Sequence, residues 1–262
     1  MPTHTMIRNF MWLAFFGLIL LAWWVMFQMA MQQNLSLTGR PDTGGLALMG
    51  RILALCRPVP AFAPLFAMWS IMMAAMMLPT LVPSLRIYEQ LMRSADATPA
   101  GWIGLVGGYA VVWTFGAAGF ALGQLALMRF GVVDVLGTAR SPIYAGVFLI
   151  LAGVYQFSSI KENCQNVCMA PMNYFLGNWR TGFAGGVRMG LGLGAYCVGC
   201  CWAIMALGFV GGVMSLLWMG LATVFMVVEK LPDIGKHVSK PIGFVLVLAG
   251  GAVIGAAQVT GG

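Results

Sequence analysis

The sequence predicts an all-α, polytopic transmembrane helix bundle of about seven spans, six at the lower count. Three observations predict it. Of the 262 residues, 60% are hydrophobic and 8% are charged, roughly a third of the charge density of an average soluble domain. Only seven acids are present, Asp42, Glu89, Asp96, Asp134, Glu162, Glu229 and Asp233, too few to equip a water-exposed catalytic domain. The apolar runs reach the roughly 20 residues needed to cross ~30 Å of hydrocarbon, and no gap between them could hold a soluble domain. A soluble globular protein is excluded, and residues 1–262 read as one transmembrane domain.

The first span runs from Phe10 to Met31. It follows Arg8, is longer than a signal-peptide core and has no small-residue cleavage site after it, so it reads as an uncleaved anchor. Residues 46–57 are apolar but carry Arg51 and Arg57 and are too short to span, which suits a short interfacial or re-entrant helix. The second span covers about Ala61 to Leu81 and the third Trp102 to Met128. The fourth, Pro142 to Ser159, opens on a proline, which a first helical turn tolerates. Between Thr181 and Val228 only Arg188 is charged, leaving room for two spans and a tight turn. Ending the first of these at Gly199 would put Arg188 in hydrocarbon at about 2.5–3.5 kcal/mol. A cut at Arg188 to Val210, followed by Val213 to Val228, avoids that cost. Ile242 to Val259 is the last span.

The net charge of +7 comes from 14 Lys and Arg dispersed through the connections, which reads as a topology signal rather than a nucleic-acid surface. No nucleic-acid partner is expected; the lipid bilayer is. With the N-terminus in the cytoplasm, the inner side collects Arg8, Arg86, Arg93, Lys161, Arg180, Lys230, Lys236 and Lys240. The outer side collects Arg40, Arg51, Arg57, Arg129 and Arg140, so the bias is eight to five. The expectation is a multi-pass protein of a bacterial inner (plasma) membrane.

The strongest chemical signal is sulfur. Of six cysteines, Cys56 stands apart, whereas Cys164, Cys168, Cys197, Cys200 and Cys201 flank one span. Cys164 and Cys168 share a helical face, and Cys200 and Cys201 lie within one turn of Cys197. Thiolates select Cu(I), zinc or iron–sulfur clusters. Glu162 is the one carboxylate close in sequence, which argues against magnesium or calcium. Cu(I) is the first choice of metal and zinc the second. Two alternatives stay open: a disulfide joining the two clusters in an oxidising compartment, and plain packing, since a free cysteine behaves as a small hydrophobe. Were the helix to start at Thr181, the clusters would fall on opposite sides of the bilayer; the cut at Arg188 places Cys197 to Cys201 near its middle.

Methionine numbers 21, and in the second span Met72 with Met76 and Met73 with Met77 form i, i+4 pairs. In spacing they resemble the stacked thioether rungs of copper-uptake channels. The competing reading is core filling, for which methionine is well suited. The 35 glycines concentrate at Gly101 to Gly123 and Gly182 to Gly212 and let helices approach closely, within the chain, in a homo-oligomer or against other membrane subunits. Arg180 beside Trp179 and the Glu229-Lys230 pair read as helix ends at the interface. His4 and His237 lie outside the spans, and no Ser/His/Asp arrangement offers catalysis, so an enzyme is not expected.

Several motifs resemble a bacterial family of unknown function described as predicted metal-binding integral membrane proteins. They are Met68-Trp69 with Met72-Met73-x-Ala75-Met76-Met77-Leu78-Pro79, Gly108-Tyr109-x3-Trp113, Cys164-x3-Cys168-x2-Pro171, Trp179-Arg180-x-Gly182, Cys197-x-Gly199-Cys200-Cys201-Trp202 with Met205, and Glu229-Lys230. The resemblance implies metal binding without a reaction. In the family's pattern a histidine stands four residues before the first cysteine of the last cluster, where this chain has Leu193. A missing imidazole weakens a zinc site more than a Cu(I) site held by sulfur alone.

Three functions follow as expectations. The first is a protein that binds, delivers or transports a soft metal through Cys164, Cys168, Cys197, Cys200 and Cys201, with Met72, Met73, Met76 and Met77 along the approach. The second is a non-catalytic accessory subunit of a larger membrane complex with a structural cysteine cluster. The third is a membrane thiol-disulfide oxidoreductase.

Overall fold

The computed structural model describes residues 2–32, 61–92, 98–232 and 234–260, all of whose regular elements are α-helical. The interfacial helix expected at 46–57 and Cys56 lie outside the described residues. Among the described residues ten helices follow in order: α1 (Pro2–Gln32), α2 (Phe62–Leu91), α3 (Pro99–Arg129), α4 (Pro142–Tyr155), α5 (Ser159–Met169), α6 (Pro171–Asn178), α7 (Gly182–Ala206), α8 (Gly208–Gly211), α9 (Leu216–Glu229) and α10 (Gly235–Thr260). Several start where the sequence supplies an N-cap. Thr98 accepts from Gly101 N at 3.1 Å before Pro99, Ser141 from Ile143 N at 3.2 Å before Pro142, and Ser158 from Ile160 N at 3.2 Å. Each satisfies a backbone donor that the first turn leaves free.

Among the described residues five helices are long and apolar enough to cross a membrane: Met6–Met31, Phe62–Leu91, Pro99–Arg129, Gly182–Gly211 and His237–Val259. A sixth results if α4 and α5, bent by 64° at their junction, count as one. The upper figure is the lower of the two counts expected from the sequence. The stretch expected as a span from Val213 to Val228 forms α9, only 14 residues long, about 21 Å at 1.5 Å per residue. Around Arg188, neither cut of the sequence holds. The helix starts at Gly182, and Arg188 sits inside it with its side chain exposed.

Helix α2 carries Pro79 and Pro83 in its interior. A proline cannot donate to the carbonyl four residues back. For Pro79 that carbonyl is Ala75 O, and Trp23 of α1 donates its indole N–H to it at 3.0 Å. Close by, Met77 O accepts from Thr80 Oγ1 at 2.8 Å and from Tyr109 OH of α3 at 3.2 Å. Pro79 thus leaves Ala75 O free for a neighbouring helix.

Glycines join α3 to α7. A Cβ added at Gly104 would meet the backbone of Phe183 and Val187, and one at Gly186 or Gly190 the carbonyls of Gly101 and Leu105. Gly146 and Gly153 of α4 meet Gly250 and Gly243 of α10 in the same way. Gly104 and Gly108 of α3 and Gly186 and Gly190 of α7 are therefore filled by the backbone of the other helix inside the chain. Gly107, Gly119 and Gly123 have nothing within 4 Å of a built Cβ. The core that results runs through α2, α3 and α7, with Trp69, Leu85, Leu105, Ala117 and Cys197 fully enclosed.

Candidate metal centre

The sulfur cluster forms where α5 crosses α7. Cys197, Cys200 and Cys201 lie on one turn of α7 and are all buried, and their ligand atoms lie within 4.8 Å of one another. Cys200 Sγ is 3.3 Å from Cys201 Sγ, and Cys197 Sγ is 4.0 Å from Cys201 Sγ. The bend after α4 lays α5 against this turn and brings the buried Cys168 Sγ to 3.9 Å from Cys200 Sγ. The two cysteine groups that the sequence left on uncertain sides therefore meet. Cys164 does not join them: it lies half-buried beside Gly199, where an added Cβ would meet its sulfur. All five are free thiols.

Three residues of other helices complete the surroundings. Tyr109 OH of α3 is 3.0 Å from Cys197 Sγ, and Thr80 Oγ1 of α2 is 3.9 Å from it and 3.0 Å from Tyr109 OH. Lys230 Nζ, at the end of α9, donates to Cys197 Sγ at 3.0 Å and to Thr80 Oγ1 at 2.8 Å. Lys230 is buried, which overturns its reading as an interfacial helix end. Its neighbour Glu229 is buried too and pairs with Lys161 of α5 at 2.7 Å. Ser239 Oγ donates to Glu229 Oε1 at 2.8 Å, and Gln165 Nε2 donates to Ser239 Oγ at 2.8 Å and to Glu229 O at 3.0 Å. Lys161 and Lys230 are both buried, so their charges act inside the bundle rather than at a membrane surface.

Met72, Met73, Met76 and Met77 are all buried. Met73, Met76 and Met77 precede Thr80 by seven, four and three residues, so they share its face of α2. The stripe leads to the residue that touches Cys197. Leu193, standing where the resembling family has histidine, is buried one turn before Cys197. Cys197, Cys200 and Cys201 form the one group of three metal-ligating side chains within reach of each other among the described residues. Apart from Lys230, the groups facing them are sulfur, phenol and hydroxyl, and a set of neutral thiols and thiolates suits a soft ion better than a hard one.

The profile of the PpoB2 family, described as copper chaperone, matches residues 66–253. The chain belongs to this family. The match runs from α2 into α10 and so contains every residue of the sulfur cluster. No individually curated protein and no solved structure matches the chain. Family membership and the buried thiol group together fit a metal-handling role.

Sequence reasoning missed Tyr109, Thr80 and Lys230 as parts of this site. Tyr109 and Lys230 did stand in the motifs of the resemblance. A lysine within an otherwise apolar stretch marks a functional position by default, but with α9 read as a full span its end fell at the membrane surface.

Proposed function

We propose that the chain is an integral membrane protein that binds Cu(I) as its cargo at Cys197, Cys200 and Cys201, assisted by Cys168, and passes it on. The observation that carries this reading is a thiol triad buried beside an ammonium group, in a chain of the copper-chaperone family. Charge explains the preference for Cu(I). A buried site has to be close to neutral, because an unpaired ion in a low-dielectric interior costs several kcal/mol. Cu(I) held by two thiolates carries one negative charge, and Lys230 supplies one positive charge at hydrogen-bond distance from Cys197. Zinc asks for a fourth ligand beyond the triad, and held by all four cysteines as thiolates it would leave the same site anionic.

The two helices that meet the triad offer two approaches. Cys200 faces α5 through Cys168, whereas Cys197 faces α2 through Thr80. Beyond Thr80, the thioethers of Met73, Met76 and Met77 supply further soft donors that a Cu(I) ion could follow. The five to six long apolar helices support placing this path within a bilayer.

The test is Cu(I) loading of the full chain in mild detergent under reducing conditions. The expected result is one copper per chain, lost in a Cys200→Ser/Cys201→Ser double variant that keeps its helical content. A protein that takes up no soft metal, or a double variant that binds copper as the wild type does, overturns the reading.

A further inference from the structure

We propose that Cys164 is the exchange ligand of this site: it takes Cu(I) from a Cu(I)–thiolate complex in the surrounding water and hands it to Cys168, from which the ion reaches the triad. The proposal rests on the Cu(I) reading above and adds the form in which the cargo arrives and the side from which it arrives.

The five clustered cysteines are not equivalent. Four are buried, while Cys164 is partly exposed. Its position on α5 explains this. Lys161, Gln165, Cys168 and Met169 form the buried face of the helix, and Glu162, Asn163 and Asn166 are exposed. Cys164 lies on the seam between the two faces. An exposed face with one carboxylate and two carboxamides, on a helix opened by a serine cap, belongs in water rather than among lipid chains. The thiol at its edge is the one that a dissolved complex can approach.

Inward from Cys164 the sulfurs are graded. Cys168 is one turn along α5, on the side facing α7. Its Sγ is 3.9 Å from Cys200 Sγ, Cys200 is 3.3 Å from Cys201, and Cys201 is 4.0 Å from Cys197. Thiols this close allow an ion to gain its next sulfur before it loses the last. The seam is held in place from both ends. Lys161 and Gln165 tie α5 to Glu229 and Ser239, and Tyr155 donates to Gly199 O at 2.5 Å, holding the residue against which Cys164 rests.

Each step is a ligand exchange. The incoming cysteine loses its proton as its sulfur bonds to copper. The bond from copper to the departing sulfur breaks, and that sulfur takes up a proton. For the first step the departing group is the small-molecule thiol that carried the ion. Copper stays in the +1 state, and no electron moves.

The experiment uses the full chain in mild detergent, with Cu(I) supplied as its glutathione complex. Wild type is compared with Cys164→Ser and Cys164→Ala. Both variants are expected to keep one copper per chain and wild-type affinity in competition with a Cu(I) chelator, yet to load about tenfold more slowly. On the wild type itself, a water-soluble maleimide should alkylate Cys164 before any other described cysteine in the copper-free protein and slow loading to the same degree. Wild-type loading rates in both variants and after alkylation overturn the proposal, as does a loss of affinity that would make Cys164 a resting ligand. Should the wild type bind no Cu(I), the function proposed above fails and this inference falls with it. Normal loading with indifference to Cys164 overturns the exchange role alone.

Discussion

Glu229 and Lys230 are adjacent in the chain, are both buried, and serve two centres of different kinds. Glu229 turns toward α5 and α10, where Lys161, Gln165 and Ser239 match its charge and its hydrogen-bonding capacity. Lys230 turns toward α2 and α7, where it meets a hydroxyl and thiols. The first centre is closed, since each charge has its opposite and a ligand would find nothing left to bind. The second holds a cation facing groups that become anions only on losing a proton or on binding a metal. A buried polar group that is fully paired locks helices together, whereas one whose partner is supplied by chemistry marks a working site.

The largest effect that would break this contrast is on the closed side. Glu229→Ala leaves Lys161 as an unpaired buried charge, and should cost about 3–5 kcal/mol of stability, read from unfolding in detergent. The double variant Lys161→Met/Glu229→Leu should recover most of that loss and still bind copper. A single variant as stable as the wild type would show that the pair does not hold α5 to α9.

On the open side the order reverses. Lys230→Met replaces the ammonium with an apolar side chain of similar length, and the stability of the copper-free protein should not fall, because the variant no longer buries an ammonium that faces neutral thiols. Cu(I) affinity, measured by chelator competition, should fall about 10- to 100-fold, as for other groups that support a metal site from outside its ligand set. Unchanged affinity would remove the cation from the site.

A smaller loss is expected from Tyr109→Phe. It deletes one hydrogen bond to Cys197, worth about 0.5–1.5 kcal/mol, and should weaken Cu(I) binding by less than Lys230→Met does. An equal or larger loss would mean that the phenol, not the ammonium, stabilises the bound form.

Replacing Met72, Met73, Met76 or Met77 singly with leucine should cost little stability, under about 1.5 kcal/mol each for a nearly volume-conserving exchange. Slower copper uptake by a folded quadruple variant would place the stripe on the path. Unchanged uptake would return it to core packing.

Much of the fold was legible in the sequence because hydropathy reports directly on each segment's surroundings. The long apolar helices α1, α2, α3, α7 and α10 appear close to where the apolar runs placed them. The differences fall at two shorter elements. α4 ends at Tyr155 and bends into α5, and α9 stops after 14 residues. In both, apolar composition matched a span while length did not. The site was legible in part. Cys197, Cys200 and Cys201 are near neighbours by helical periodicity alone, so their grouping needed no tertiary information.

By itself the sequence determined the class of the protein, its helical character and its choice of soft ligands. These depend on composition and on contacts within a turn or two, which the chain carries with it wherever it folds. The tertiary structure decided what lies across from what. It brought Cys168 to Cys200, kept Cys164 at the edge, turned Lys230 inward onto Cys197 and set Gly104 and Gly108 of α3 against the backbone of α7. Those pairings span 32 and more residues, and they follow from the bend after Tyr155 and the short reach of α9. Periodicity within a helix says which way a side chain faces. Only the packed bundle says what it faces.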